Sequence, residues 1–180
     1  MAVESTVTPI DRLPDIALDD LAGNRVRLSD LSAGRPIVVA FACNHCPYVK
    51  WIEAGLSAIV AARPDAAWVA ICSNDSVTYP DDDVPGLRDQ AARAGWTFPY
   101  LVDASQDVAR TFGAVCTPDF FVFDANGWLV YRGAMDDARP NMPPPVDGQY
   151  LSAAIDAAIA GVPMTATGRP SLGCSIKWRG

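Results

Sequence analysis

Two uninterrupted apolar runs dominate the chain. Ile37-Val38-Val39-Ala40-Phe41-Ala42 and Ala67-Trp68-Val69-Ala70-Ile71-Cys72 have the length and β-branched content of strands buried on both faces. Between them Val49, Ile52, Leu56, Ile59 and Val60 recur at helical spacing. Pro47 is tolerable in the first turn of such a helix, where its missing N–H would have no partner anyway. Strand, helix, strand in this order predicts a right-handed parallel crossover inside a covered α/β sheet. Cys43-Asn44-His45-Cys46 then falls at the strand-to-helix junction.

Downstream, a helix is predicted over 84–94, with Asp83 as N-cap, Pro85 in the first turn and Gly95 as terminator. Residues 98–102 are too short and Pro-broken to read as a strand. A short helix over 106–112 is capped by Ser105 and closed by Gly113. Residues 120–123 and 128–132 flank Asp124-Ala125-Asn126-Gly127, whose Asn-Gly offers the positive φ angles of a tight antiparallel hairpin. Leu151, Ile155 and Ile159 mark a last amphipathic helix ending at Gly161. At the start, 16–18 and 26–28 surround Gly23-Asn24 as a hairpin preceding the core. The final stretch, 162–180, has turn residues and no period, so an irregular tail is expected.

The 180 residues fit one domain, divided into a hairpin over about 13–31, a core over about 36–161 and the tail over 162–180. Half the residues are hydrophobic, enough to bury a core. A net charge of −7 repels phosphate backbones and argues against a nucleic-acid partner. The longest uncharged stretch, 36–49, is shorter than the ~20 residues a membrane-spanning helix needs. The first residues lack a basic and an apolar signal region, so a cytoplasmic location is expected. Asp81-Asp82-Asp83 reads as a solvated loop or helix start rather than an ion site. Five cysteines, an odd number without a secretory signal, favour reactive or buried thiols over a disulfide framework.

Cys43 and Cys46 are close enough in sequence for an intramolecular disulfide. A helix N-terminus stabilises a thiolate, the nucleophile of disulfide exchange, and Cys43 is the expected attacker. His45, the only histidine, adds a cation beside the pair when protonated. No second CxxC or CxxH completes a zinc site, and no G-x-G-x-x-G or Walker loop is present, so neither a metal nor a cofactor is expected.

With CxxC at the first strand-to-helix turn and Thr117-Pro118 before the hairpin, the order of elements resembles a thioredoxin fold. The text from FACNHCPYVK through FPYLVDASQDVARTFGAVCTPDFFVFDANGWLVYRG to GCSIKW resembles the peroxiredoxin-like redoxins of the alkyl hydroperoxide reductase and thiol-specific antioxidant superfamily, over about residue 13 to the C-terminus. The resemblance implies a mixed sheet covered by helices on both faces. It also implies a cis Pro118 in a loop facing the CxxC, and Thr117 backbone bonds to a bound substrate. The chain departs from the peroxiredoxin pattern Pro-x-x-x-Thr-x-x-Cys. Counting back from Cys46 finds Cys43 and Val39, and counting back from Cys43 finds Pro36 but Ala40 where threonine belongs. It also departs from ordinary thioredoxins, having Asn44-His45 between the cysteines and no acid in the strand before them.

Cys72 reads as a buried, inert thiol, and Cys116, two residues before Pro118, reads either as a small buried hydrophobe or, by the resemblance, as a thiol near the CxxC. Cys174, near Lys177 and Arg179, is a candidate third exchanging thiol on a tail that docks through Ile176 and Trp178. Tyr48, Trp51, Trp96 and Trp178 are candidates for an apolar interaction surface. The expected function is thiol–disulfide exchange with protein or small-molecule disulfides or thiols, recharged by a cellular reductant. The alternatives are a thiol peroxidase and a non-enzymatic redoxin holding a soft ion through Cys43, Cys46 and His45 or Cys174. Oligomeric state is not legible.

Overall fold

In the computed structural model, which describes residues 1–6, 8–164 and 168–180, both apolar runs become central strands. The chain order is β1 (Ala2–Glu4), β2 (Ala17–Asp20), β3 (Arg25–Arg27), α1 (Leu28–Ser32), β4 (Ile37–Phe41), α2 (Pro47–Ala62) and β5 (Ala67–Cys72). A 3-10 turn (Pro80–Asp82) leads into α3 (Val84–Ala94), β6 (Tyr100–Val102), α4 (Asp107–Phe112), β7 (Cys116–Thr117) and β8 (Asp119–Phe123). The chain closes with β9 (Leu129–Gly133), α5 (Gln149–Ala160) and β10 (Leu172–Ser175). The main sheet runs β3-β2-β6-β5-β4-β8-β9. Its β4, β5 and β6 are parallel, and its other pairings are antiparallel.

Alternate residues of β4 serve two cores, because successive side chains leave a strand on opposite faces. Val38 and Ala40 join Leu56, Leu87, Leu151 and Ile155 of α2, α3 and α5. Ile37, Val39 and Phe41 join Leu28 of α1, Phe112 of α4, and Phe121 and Phe123 of β8. The rings of Phe112 and Phe121 meet edge to face at 5.0 Å. Helices therefore cover both faces of a mixed sheet, as the thioredoxin fold requires. Among the described residues no helix is long and apolar enough to cross a membrane.

Four expectations are corrected. The N-terminal hairpin joins the core rather than merely preceding it, because β2 pairs antiparallel with β6 and the hairpin forms one edge of the main sheet. Residues 100–102 form that β6 strand despite Pro99, which precedes the ladder and so forfeits no bond within it. In the β8–β9 turn only Gly127 takes positive φ, at 80°. Asn126 does not take positive φ, and Asp124 Oδ1 accepts from the Asn126 and Trp128 N–H groups across the turn. Gln106, not Ser105, is the N-cap of α4.

The irregular tail is the largest correction. Residues 172–175 form β10, the middle strand of a second sheet ordered β1-β10-β7. Positions 165–167 of the expected tail lie outside the described residues. Gly173 sits against β7 so closely that a Cβ there would lie 1.9 Å from the Thr117 carbonyl oxygen. A four-residue strand with glycine at its contact point shows no alternation, which hides it from pattern reading. Beyond it Ile176 is buried in the core and its N–H bonds to the Val115 carbonyl.

Candidate functional site

The chain leaves β4 at Phe41 and reaches α2 only at Pro47, so Cys43 is not at the helix start as expected. Asn44 and His45 form a bend, and Cys46, with extended backbone, is the N-cap residue. Pro47 begins the helix because its ring sets the required φ and its absent N–H costs nothing there. Opposite lies the Thr117-Pro118 bond, which is cis. The Thr117 carbonyl oxygen is 3.2 Å from Cys46 Sγ and the Thr117 hydroxyl 3.3 Å from Cys43 Sγ. Both sulfurs belong to fully buried residues.

The two thiols titrate as a pair with opposite tendencies. The Cys43 thiol, hydrogen-bonding toward Cys46, is the strongest influence holding Cys46 down to about 5. Burial opposes this, while the side chains of Cys174 and Thr117 and the Val49 N–H in the first turn of α2 reinforce it. Cys43 moves the other way: the same bond to Cys46, then burial and the nearby Asp82 carboxylate, push it well above a free thiol. The arrangement supports one negative charge, on Cys46, with the proton on Cys43.

The acidic run does lead into a helix start, but Asp82 is not solvated. Its side chain is fully buried. Oδ1 accepts from the backbone N–H of Asn44 at 2.8 Å and of His45 at 3.0 Å. Oδ2 accepts from Asn74 Nδ2 at 2.8 Å and meets His45 Nδ1 in a short contact. Burial disfavours the Asp82 charge, yet these bonds outweigh it and leave the carboxyl below its ordinary value. The carboxylate therefore fixes the CNHC bend and orients His45, whose ring stacks on Tyr79 at 5.4 Å. Asp83, by contrast, caps α3 as expected, accepting from the Gly86 N–H.

Cys43, His45 and Asp82 bring ligand-type atoms within 4.8 Å of one another. Both Asp82 oxygens are already occupied by N–H donors, which makes this cluster a hydrogen-bonded network. Asn44 is held from two sides, its Nδ2 donating to Asp81 O and its Oδ1 accepting from Arg93. Sequence reading also missed Asp119, buried beside Pro118 and paired with Arg132 at 2.8 Å. No local signal marks a partner 13 residues away in sequence.

Cys72 and Cys116 are buried, and burial drives both thiols far above their ordinary value. Cys174 is different. Its register partner in β7 is Thr117, and it packs against the cluster containing Cys43 and Cys46. Burial, then its bond to Cys46, pushes it up to about 11. The aromatic candidates do not form one surface. Trp96 is buried, Trp178 lies under the Arg110 guanidinium, and Trp51 borders a small cleft with Tyr48, Pro118 and Leu172.

Residues 9–132 match the AhpC/TSA family. An uncharacterised conserved protein from Geobacillus kaustophilus is 42% identical, with a TM-score of 0.94 over 99% of this chain and 97% of that one. A hypothetical protein from Sinorhizobium meliloti 1021 is 39% identical, with a TM-score of 0.92 over 98% and 97%. A secreted disulfide oxidoreductase of Mycobacterium tuberculosis, at 21% identity and a TM-score of 0.63 over 79% and 96%, shares the fold. No protein among the curated sequences matches.

Proposed function

The chain belongs to the AhpC/TSA family, and we propose that it is a thiol–disulfide oxidoreductase in which Cys46 attacks and Cys43 resolves. The N-cap position of Cys46, with its thiol held down to about 5, is the observation that carries this reading. It exchanges the roles expected from sequence, because the helix starts three residues later than Cys43 would need. Cys46 thiolate attacks one sulfur of a substrate disulfide, whose other sulfur leaves as a thiolate and takes a proton. Cys43 then attacks Cys46 Sγ and gives up its proton to the substrate sulfur that leaves. The Cys43–Cys46 bond forms, the second substrate thiol is released, and a thiol reductant later restores the pair.

A second reading, thiol peroxidase, draws support from the complete burial of both sulfurs, which favours a small reactant, and from the Thr117 hydroxyl beside them. Cys46 thiolate would take one oxygen from a hydroperoxide, releasing an alcohol. The sulfenic acid would then condense with Cys43 and lose water.

Trapping decides the assignment. With Cys174 replaced by serine so that only the CxxC pair is in question, Cys43→Ser should accumulate one glutathione on Cys46 from oxidised glutathione. Cys46→Ser in the same background should form no stable adduct. A glutathione adduct on Cys43 in the second protein would reverse the roles. Oxidation by hydrogen peroxide much faster than exchange would promote the peroxidase reading.

A further inference from the structure

Of the five thiols, Cys43, Cys46, Cys72 and Cys116 are buried and only Cys174 is partly exposed. Cys174 stands on β10, opposite Thr117 in the antiparallel register, and Thr117 O lies 3.2 Å from Cys46 Sγ. Residues directly opposite in such a pair have Cα atoms about 4.5–5.5 Å apart, so the strand brings Cys174 into the immediate surroundings of Cys46. The placement is rigid. β10 is bonded on its other side to β1, with Cys174 opposite Ala2, and Gly173 lets it approach β7. After the strand, Lys177 N donates to Asn74 Oδ1 at 2.8 Å, and Asn74 in turn holds Asp82. The tail is thus tied to the same network that shapes the CNHC bend.

We infer that Cys174 is the port through which the buried disulfide meets an external low-molecular-weight thiol, receiving the disulfide from the CxxC pair as a Cys46–Cys174 bond. The inference rests on the proposed exchange at Cys43 and Cys46 and adds a third station to it. In the first step Cys174 thiolate attacks Cys46 Sγ of the Cys43–Cys46 disulfide. The Cys43–Cys46 bond breaks, the Cys46–Cys174 bond forms, and Cys43 leaves with the electron pair and takes up the proton that Cys174 gave. No net oxidation occurs. In the second step an external thiolate attacks the accessible Cys174 Sγ and expels Cys46, the better leaving group because its thiol is the more acidic. A second external thiol then attacks the mixed disulfide, leaving Cys174 as a thiol and releasing the external disulfide.

The test is non-reducing peptide mapping of the full chain after equilibration with oxidised glutathione, followed by timed reduction with glutathione. The wild type should give both Cys43–Cys46 and Cys46–Cys174 peptides, and Cys43→Ser should give Cys46–Cys174 alone. Cys174→Ser should retain Cys43–Cys46 but be reduced by glutathione at least about tenfold more slowly, because attack must then reach a buried sulfur. Cys72→Ser, which removes a fully buried thiol that burial holds far above its ordinary value, should behave as wild type. Absence of Cys46–Cys174 in both wild type and Cys43→Ser, with unaltered reduction of Cys174→Ser, would overturn the relay and leave the CxxC reading standing. Absence of Cys43–Cys46 in Cys174→Ser would instead remove the CxxC reading on which the relay rests.

Discussion

Replacing Asp82 by asparagine tests whether a buried carboxylate builds the CNHC bend. Asparagine keeps one acceptor oxygen, so the bonds from the Asn44 and His45 N–H groups can persist at the Oδ1 position. At the Oδ2 position an amide NH₂ would face Asn74 Nδ2 and, in the tautomer that donates to the carboxylate, His45 Nδ1, donor against donor. Two hydrogen bonds to a buried charge are lost, each worth about 1.5–3 kcal/mol, and partial relaxation leaves an expected net loss of about 3 kcal/mol. For a chain of this size that corresponds to a fall in Tm of about 6–12 °C at neutral pH. The pH dependence has a definite sign. Asp82 has a lowered carboxyl, so its stabilisation is complete above the ordinary aspartate value near ~4 and disappears as pH falls through its depressed folded value. The gap between wild type and Asp82→Asn should therefore persist from neutral pH to about 4 and close only in stronger acid. Calorimetry of the reduced proteins across that range reads both effects. Removing the charge that disfavours Cys43 ionisation should also bring the Cys43 thiol down. A neutral-pH Tm within about 2 °C of wild type would refute the clamp, since it leaves less than about 1 kcal/mol for both bonds together.

Alkylation of Cys46 by iodoacetamide, followed by mass spectrometry, should switch on as pH rises through about 5, and a midpoint near the free-thiol value would refute the Cys46 thiolate. Gly173→Ala should force β10 away from Thr117 at a cost of about 1–3 kcal/mol and raise Cys174 reactivity toward a thiol reagent; unchanged stability and reactivity would show that the tail does not depend on this close approach. Arg132→Met, which strands the buried Asp119 charge, should cost about 3–5 kcal/mol in chemical denaturation, and adding Asp119→Asn should recover part of it. A fully additive double variant would deny the coupling.

The elements legible in the sequence are those whose information is local. The runs at 37–42 and 67–72 are β-branched and uncharged, and the glycines at 95, 113 and 161 each end a helix in the left-handed conformation. The CxxC and the cis Thr117-Pro118 were likewise visible as residues at an expected place in a resembling fold. What stayed hidden depends on partners remote in sequence. Asp82 looked like its exposed neighbours in an acidic run, yet it is buried because the backbone 37 residues upstream presents two N–H groups to it. Asp119 lies among apolar residues that read as pure core, and its charge is tolerable only because Arg132 and Ser171 reach it. The buried acid that holds the CNHC bend comes from a turn after the next strand, and no reading of residues 37–42 alone can find it.

The same distinction explains why the position of Cys46 matters more than the spacing of the motif. CxxC spacing permits a disulfide but leaves open which sulfur carries charge. Cys43 lies at the end of a buried strand beside a carboxylate, an environment that favours the neutral thiol. Cys46 lies three residues on, where the first turn of α2 presents the Val49 N–H and where β10 adds a second thiol. The asymmetry of the pair rests first on the bond between the two thiols, and Pro47, which fixes where α2 begins, and Gly173, which lets Cys174 approach, reinforce it without being reactive residues.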